Sequence, residues 1–207
     1  MPAFECLVCG TSFYSLGQSR SRCHTCGGDH FHASAPGQSA HRFPRSFYPG
    51  EHASLIYKKD ERLLDLAVPY IRAGLASDQR VVVVLDGEAR DLICARLRAD
   101  EAGAVDFVAP ADIYGDPFDA SRTRDLHAAM VDEADEVVRL LGGLDRGAAR
   151  SIDPAEYALL EHQSEALFDK GLVALCLFDA RYCSVDLLDV AAAHPLLAGG
   201  DVVHLAA

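Results

Sequence analysis

LVALCLFDARYCSVDLLDVAAAHPLL, residues 172 to 197, decides how the chain is read. Leu172 to Phe178 is an unbroken apolar run, which predicts a strand buried on both faces with Asp179 and Arg181 at its carboxyl end. Open α/β sheets take their ligands at that end of the strands. Val185, Leu187, Leu188 and Val190 then start an amphipathic helix. It stops at His194-Pro195, because the residue before a proline is pushed out of the helical region. Strand, polar rim and returning helix together predict one wall of a pocket.

The same alternation extends upstream. Ala53 to Tyr57 reads as a strand, and Asp60 caps a helix whose Leu63, Leu64, Ala67, Tyr70, Ile71 and Leu75 make an apolar stripe. Arg80 to Leu85 is a buried strand closed by Asp86-Gly87, followed by a helix from Glu88 to Ala99 and a strand from Val105 to Val108. Ala109 to Asp119 is broken by glycine and proline and reads as a loop. Ala120 to Leu141 reads as one long helix with Leu126, Met130, Ala134, Val137, Val138 and Leu141 on a face. Ala148 to Ile152 is a weak strand, Asp153-Pro154 opens a helix to Lys170, and Val202 to Leu205 is a last strand. Six strands alternating with five helices predict a three-layer α/β domain over residues 51–207 with a mainly parallel sheet.

Half of the 207 residues are apolar, enough for a sizeable core. No apolar run approaches the roughly 20 residues of a membrane span, and the start lacks the basic and apolar regions of a secretion signal. A cytoplasmic protein without membrane association is the expectation. Charge is unevenly spread. Arg20, Arg22, Arg42 and Arg45 against Glu5 and Asp29 leave residues 1–50 at +2, so the remainder carries −14 of the net −12. An acidic body repels phosphate backbones, which confines nucleic-acid contact to residues 1–50.

Four of the seven cysteines form two Cys-x-x-Cys-Gly knuckles, Cys6/Cys9 and Cys23/Cys26. A two-residue gap brings both thiolates of a knuckle to one tetrahedral ion, and two knuckles complete a four-sulfur shell. Residues 1–32 are thus a zinc ribbon that folds around its metal, with iron in a rubredoxin-like site as the other ion that four thiolates suit. Residues 33–50, ASAPGQSAHRFPRSFYPG, hold no period and form a linker.

Several chemistries find no motif. None of the three lysines, Lys58, Lys59 and Lys170, follows a glycine, so there is no phosphate loop, and no Gly-x-Gly-x-x-Gly follows a strand. Gly-x-Ser-x-Gly and His-Glu-x-x-His are absent. Cys183 with His194 eleven residues on is better read as structural than as a nucleophile and its base. The chain is read as non-catalytic.

HASLIY at 52–57, Asp60-Glu61, VPYIRAGL at 68–75, the valine strand ending at Asp86, the Tyr114 loop, Glu161 within YALLEHQ, CLFDAR at 176–181 and DVAAAHPLL at 189–197 together resemble the MEDS sensory-domain family. That family is named for methanogen and methylotroph proteins, including a dichloromethane-responsive transcriptional repressor. The resemblance implies a RecA-like fold that lacks the phosphate loop, and a sensor module with no catalytic role that binds a small organic ligand or a signalling partner. It implies His52, Tyr57, Glu161, Asp179, Arg181 and His194 as the residues of the pocket or its support. Ala149-Arg150-Ser151-Ile152 departs from the Met-Ser-Trp run frequent in the family, and there is no tryptophan to supply an aromatic wall. A homo-oligomer, a regulator whose ribbon contacts nucleic acid and a degenerate nucleotide binder are the other arrangements the pattern admits.

The four-cysteine reading carries a direct test. Changing Cys23 and Cys26 to serine in the full-length protein should lower bound zinc by one equivalent, measured by elemental analysis after desalting.

Overall fold

Four consecutive valines, Val81 to Val84, are 0–1% exposed, which β-branched side chains achieve only in a strand covered on both faces. A computed structural model describes residues 3–6, 12–14, 31–34, 52–85, 87–144, 148–192 and 196–197. Near the start, β1 (Ala3–Cys6), β2 (Ser12–Tyr14) and β3 (Phe31–Ser34) pair antiparallel in the order β2-β1-β3. Cys9, Cys23 and Cys26, residues 35–50 of the expected linker and His194 lie outside the described residues, whereas Ala33 and Ser34, expected to begin the linker, end β3, and Cys6 is described only through its place in β1.

The main sheet contains β4 (His52–Tyr57), β5 (Arg80–Val84), β6 (Val105–Val108), β7 (Val138–Gly143), β8 (Leu172–Asp179) and the two-residue β9 (Leu196–Leu197). Its order is β6-β5-β7-β8-β4-β9, and every pairing is parallel. The helices are α1 (Asp60–Leu75), α2 (Gly87–Cys94), α3 (Ala99–Gly103), α4 (Pro110–Tyr114), α5 (Ala120–Asp132), α6 (Ala148–Ser151), α7 (Pro154–Phe168) and α8 (Val185–Ala192). They cover two faces. One core joins Leu63, Ala67 and Ile71 of α1 to Leu55, Val83, Leu141 and Leu175. The other face packs α4, α5 and α7 on Val82, Leu140 and Ala174, and α8 on Ile56 and Phe178. No helix among the described residues is long and apolar enough to cross a membrane.

The expected three-layer parallel α/β architecture is present, with local corrections. The helix from Ala120 ends at Asp132, and Val138–Gly143 is a fully buried strand where the continued helix was expected. Val138, Leu140 and Leu141 satisfy either period, and burial in the sheet's centre decides for the strand. Ala148–Ser151 is a helical turn and not a strand. The glycine- and proline-rich loop contains α4, with Pro110 at its first position, where a missing N–H is harmless. Asp60 is the first residue of α1 and not its cap, which is Lys59. The expected last strand, 202–205, lies outside the described residues, and β9 pairs with β4 at Ala53 and Ser54.

Arg139, 2% exposed, crosses the layer between β7 and α1. Its Nε donates to Gln79 Oε1 at 2.6 Å and its guanidinium lies 4.6 Å from the centre of the Tyr70 ring. The Tyr70 hydroxyl in turn donates to the carbonyls of Leu140 and Val173, at 3.1 and 3.0 Å, tying α1 to two central strands. Room for the arginine comes from Gly74, where a Cβ would stand 2.5 Å from Arg139 Cδ and 2.7 Å from Val81 Cγ2. Gly74→Ala should therefore lower stability by about 1–3 kcal/mol through overpacking, read from the urea midpoint at unchanged slope.

Candidate functional site

β4 and β8 end side by side, and their register sets Tyr57 opposite Asp179. The Ala180 amide donates to the Tyr57 carbonyl at 2.7 Å, and the chain then turns tightly, with the amides of Tyr182 and Cys183 both donating to the Asp179 carbonyl. This turn folds Arg181 back over the strand end. Its Nε donates to Asp179 Oδ1 at 2.8 Å and its Nη2 to Asp179 Oδ2 at 2.6 Å, while the same Nη2 reaches Asp60 Oδ1 at 2.7 Å. One guanidinium thus joins the end of β8 to the first residue of α1. Tyr182 packs between two cations, with Arg150 at 5.1 Å and Arg181 at 5.7 Å from its ring centre.

Beneath this rim lies a cavity of about 340 Å³. Leu85, Leu92, Leu144 and Leu177 make its apolar part, and Tyr57, Asp60, Glu88, Asp179 and Arg181 its polar part. Gly143 forms part of the floor because a Cβ there would meet Leu85 Cδ2 at 2.7 Å. The cavity opens at the carboxyl ends of β4, β5, β7 and β8. From there the chain leaves β4 toward β5 and leaves β8 toward β9, in opposite directions along the sheet. Strand connections that diverge in this way leave a crevice between them.

Protonation states in the crevice are held away from neutrality. Burial, and then the charge of Asp179, raise the Tyr57 hydroxyl above its ordinary value. The same two causes push the Cys183 thiol up to about 12. The hydrogen bonds that Arg181 donates to Asp179 raise it further above its already high value. All three keep one protonation state at neutral pH.

Among the described residues, the β4–α1 connection gives a phosphate group no cradle. Only Lys58 and Lys59 separate β4 from α1, too few for a loop that wraps a phosphate chain. The first turn of α1 carries Asp60 and Glu61, which occupy the positive end of the helix dipole with fixed negative charge.

The remaining expected residues lie elsewhere. His52 starts β4, five residues before Tyr57, so along the strand the two are roughly 17 Å apart. They also project to opposite faces, since Tyr57 belongs to the α1 side and His52 contacts the α7 side. His52 Nε2 lies 3.1 Å from Glu161 Oε2 of α7 and 3.3 Å from Cys176 Sγ of β8. The imidazole stacks on Phe168 with ring centres 4.5 Å apart. Tyr157, one turn before Glu161, is buried and stands edge-on to Phe178 with ring centres 5.5 Å apart. Burial, and then Glu161, raise the Cys176 thiol well above its ordinary value. The six residues taken from the resemblance therefore divide: Tyr57, Asp179 and Arg181 in the crevice, His52 and Glu161 in a second cluster, and His194 outside the described residues.

Sequence reasoning missed Asp60, Tyr182 and Cys183 as crevice residues and Cys176 and Tyr157 as members of the second cluster. The two-residue period of β8 does place Cys176 and Phe178 on one face, but only the β4–β8 register brings Cys176 beside His52.

The profile of one protein family, described as "MEDS: MEthanogen/methylotroph, DcmR Sensory domain", matches residues 51–195, more than two thirds of the chain. No curated protein matches the chain.

Next to the second cluster, His127 of α5 is 6% exposed, edge-on to Tyr114 at 6.4 Å, and its Nε2 has no hydrogen-bond partner among the described residues. Burial lowers its pKa from 6.5 to about 4. Because the unfolded chain binds this proton more tightly, the contribution is whole above pH 6.5 and is lost as pH falls through 4. Acid should therefore remove roughly 3 kcal/mol through this residue. His127→Met should flatten that part of the stability profile between pH 6.5 and 4, followed by urea unfolding at a series of pH values.

Proposed function

The chain belongs to the MEDS family, and from that premise we propose that residues 51–195 are a sensory domain whose stimulus is a small organic molecule held in the crevice at the carboxyl ends of β4, β5, β7 and β8. The observation that carries this reading is the cavity itself: about 340 Å³, apolar below and polar at its rim. That combination suits a ligand with a hydrocarbon body and one polar group. Asp60, Glu88 and Asp179 against Arg181 give the lining a net negative formal charge, and both Asp60 and Asp179 already engage the guanidinium. A neutral or cationic ligand fits such a lining better than a carboxylate or a phosphate.

A binding role, and not a catalytic one, accords with the fixed protonation of Tyr57, Cys183 and Arg181, since a general acid or base works best with a pKa near the operating pH. The short β4–α1 connection and its acidic first turn speak against nucleotide turnover in a RecA-like ancestor's manner. Binding would be transmitted by contact: Arg181 joins the ligand-facing turn to the start of α1, so a ligand that competes for this guanidinium changes how α1 is held. The amino-terminal four-cysteine module would be the structural zinc ribbon that presents this signal to a protein partner. The +2 balance of residues 1–50 keeps nucleic acid as its second class of partner.

A thermal-shift screen of the full-length protein with small neutral and cationic organic molecules, confirmed by calorimetry, tests the reading. Hits should lose at least tenfold in affinity in Ala89→Phe, which fills the cavity, and in Arg181→Ala. Hits unaffected by either change would place binding elsewhere and sink the proposal, as would a screen without hits.

A further inference from the structure

His52, Glu161 and Cys176 offer a nitrogen, an oxygen and a sulfur, all within 4.8 Å of one another, from three separate elements. Both close approaches use the same atom, His52 Nε2, at 3.1 Å to the carboxylate and 3.3 Å to the sulfur. A single imidazole N–H points at one acceptor, so it serves the carboxylate or the sulfur but not both well. A cation between the three serves all at once. Around a tetrahedral zinc ion, nitrogen and oxygen stand about 3.4 Å apart and nitrogen and sulfur about 3.6 Å, from the usual bond lengths. The nitrogen–oxygen and nitrogen–sulfur distances thus lie within a few tenths of an ångström of those around the ion.

We infer that His52, Glu161 and Cys176 form a second metal site, for zinc, at the amino-terminal half of β4 and separate from both the four-cysteine knuckles and the crevice. A set of imidazole nitrogen, thiolate and carboxylate suits zinc and excludes magnesium and calcium, which take oxygen. Phe168 stacks on the His52 imidazole with ring centres 4.5 Å apart and restrains the orientation of that ligand. The His52 and Glu161 side chains keep 10% and 18% of their exposure, which leaves an entry path and a fourth position for water. On binding, the Cys176 thiol gives its proton to solvent and the sulfur–metal bond replaces the S–H bond. The ion would bind α7 to the neighbouring strands β4 and β8.

The test uses the full-length chain, stripped by chelator under reducing conditions, reloaded with zinc, desalted, and weighed by native mass spectrometry. Cys176→Ser and His52→Gln should each hold one zinc fewer than the parent, whatever the amino-terminal cysteines contribute. His162→Gln, an exposed histidine on α7 outside both sites, should hold the parent number. Circular dichroism verifies that each variant is folded, and Glu161→Gln takes the place of any that is not. Equal zinc in parent, Cys176→Ser and His52→Gln overturns the site. A loss that also appears in His162→Gln overturns it too, because it then follows general damage and not these ligands. Neither result bears on the small-molecule screen, whose variants lie in the crevice.

Discussion

The parallel register of β4 against β8 is the constraint on which both sites depend. Residues more than a hundred positions apart in the chain meet there, Tyr57 with Asp179 at one end and Ser54 with Cys176 in the middle. A slip by one residue would turn every side chain of β4 to the other face, placing His52 under α1 and Tyr57 under α8. Such a slip is opposed on both faces. Leu55 is completely buried against the α1 core, and the hydroxyl of Ser54 donates to the Ala191 carbonyl at 2.6 Å on the opposite side.

At the amino end of α1, where the helix dipole would favour a bound anion, this chain holds a carboxylate of its own. Asp60 occupies the positive end of α1, and Arg181, which could have faced an anion, is spent on Asp60 and Asp179. With three carboxylates against one already engaged guanidinium the lining keeps a net negative formal charge, and on the reading proposed above recognition would rest on shape and on hydrogen bonds whose strength depends on excluding water. The four leucines around the cavity supply that exclusion.

Strand-forming runs of valine and leucine, the stripe of α1 and the Asp153-Pro154 start of α7 were all legible from residue type and spacing, because each belongs to an element whose period is unambiguous. β7 was not, since Val137 to Leu141 extends the period of the helix before it, and what makes it a strand is a place between β5 and β8 that no local pattern reveals. The sites were half legible. Asp179 and Arg181 were visible as polar groups after a buried strand, whereas the division of Tyr57 from His52 follows from their parity along β4, and the company of Cys176 follows from pairing across 124 residues. The four amino-terminal cysteines were conspicuous as spacing, and three of them fall outside the described residues.

The arginine under α1 carries a further consequence. Arg139 occupies volume that Gly74 leaves empty, rests on the Tyr70 ring and is oriented by Gln79. Remove the guanidinium and Gly74 faces a void; add a side chain at 74 and the guanidinium must leave, taking its charge through an apolar layer. A larger residue at 74 is therefore compatible with this layer only when residue 139 shrinks with it, so the two positions form one volume shared between helix and strand.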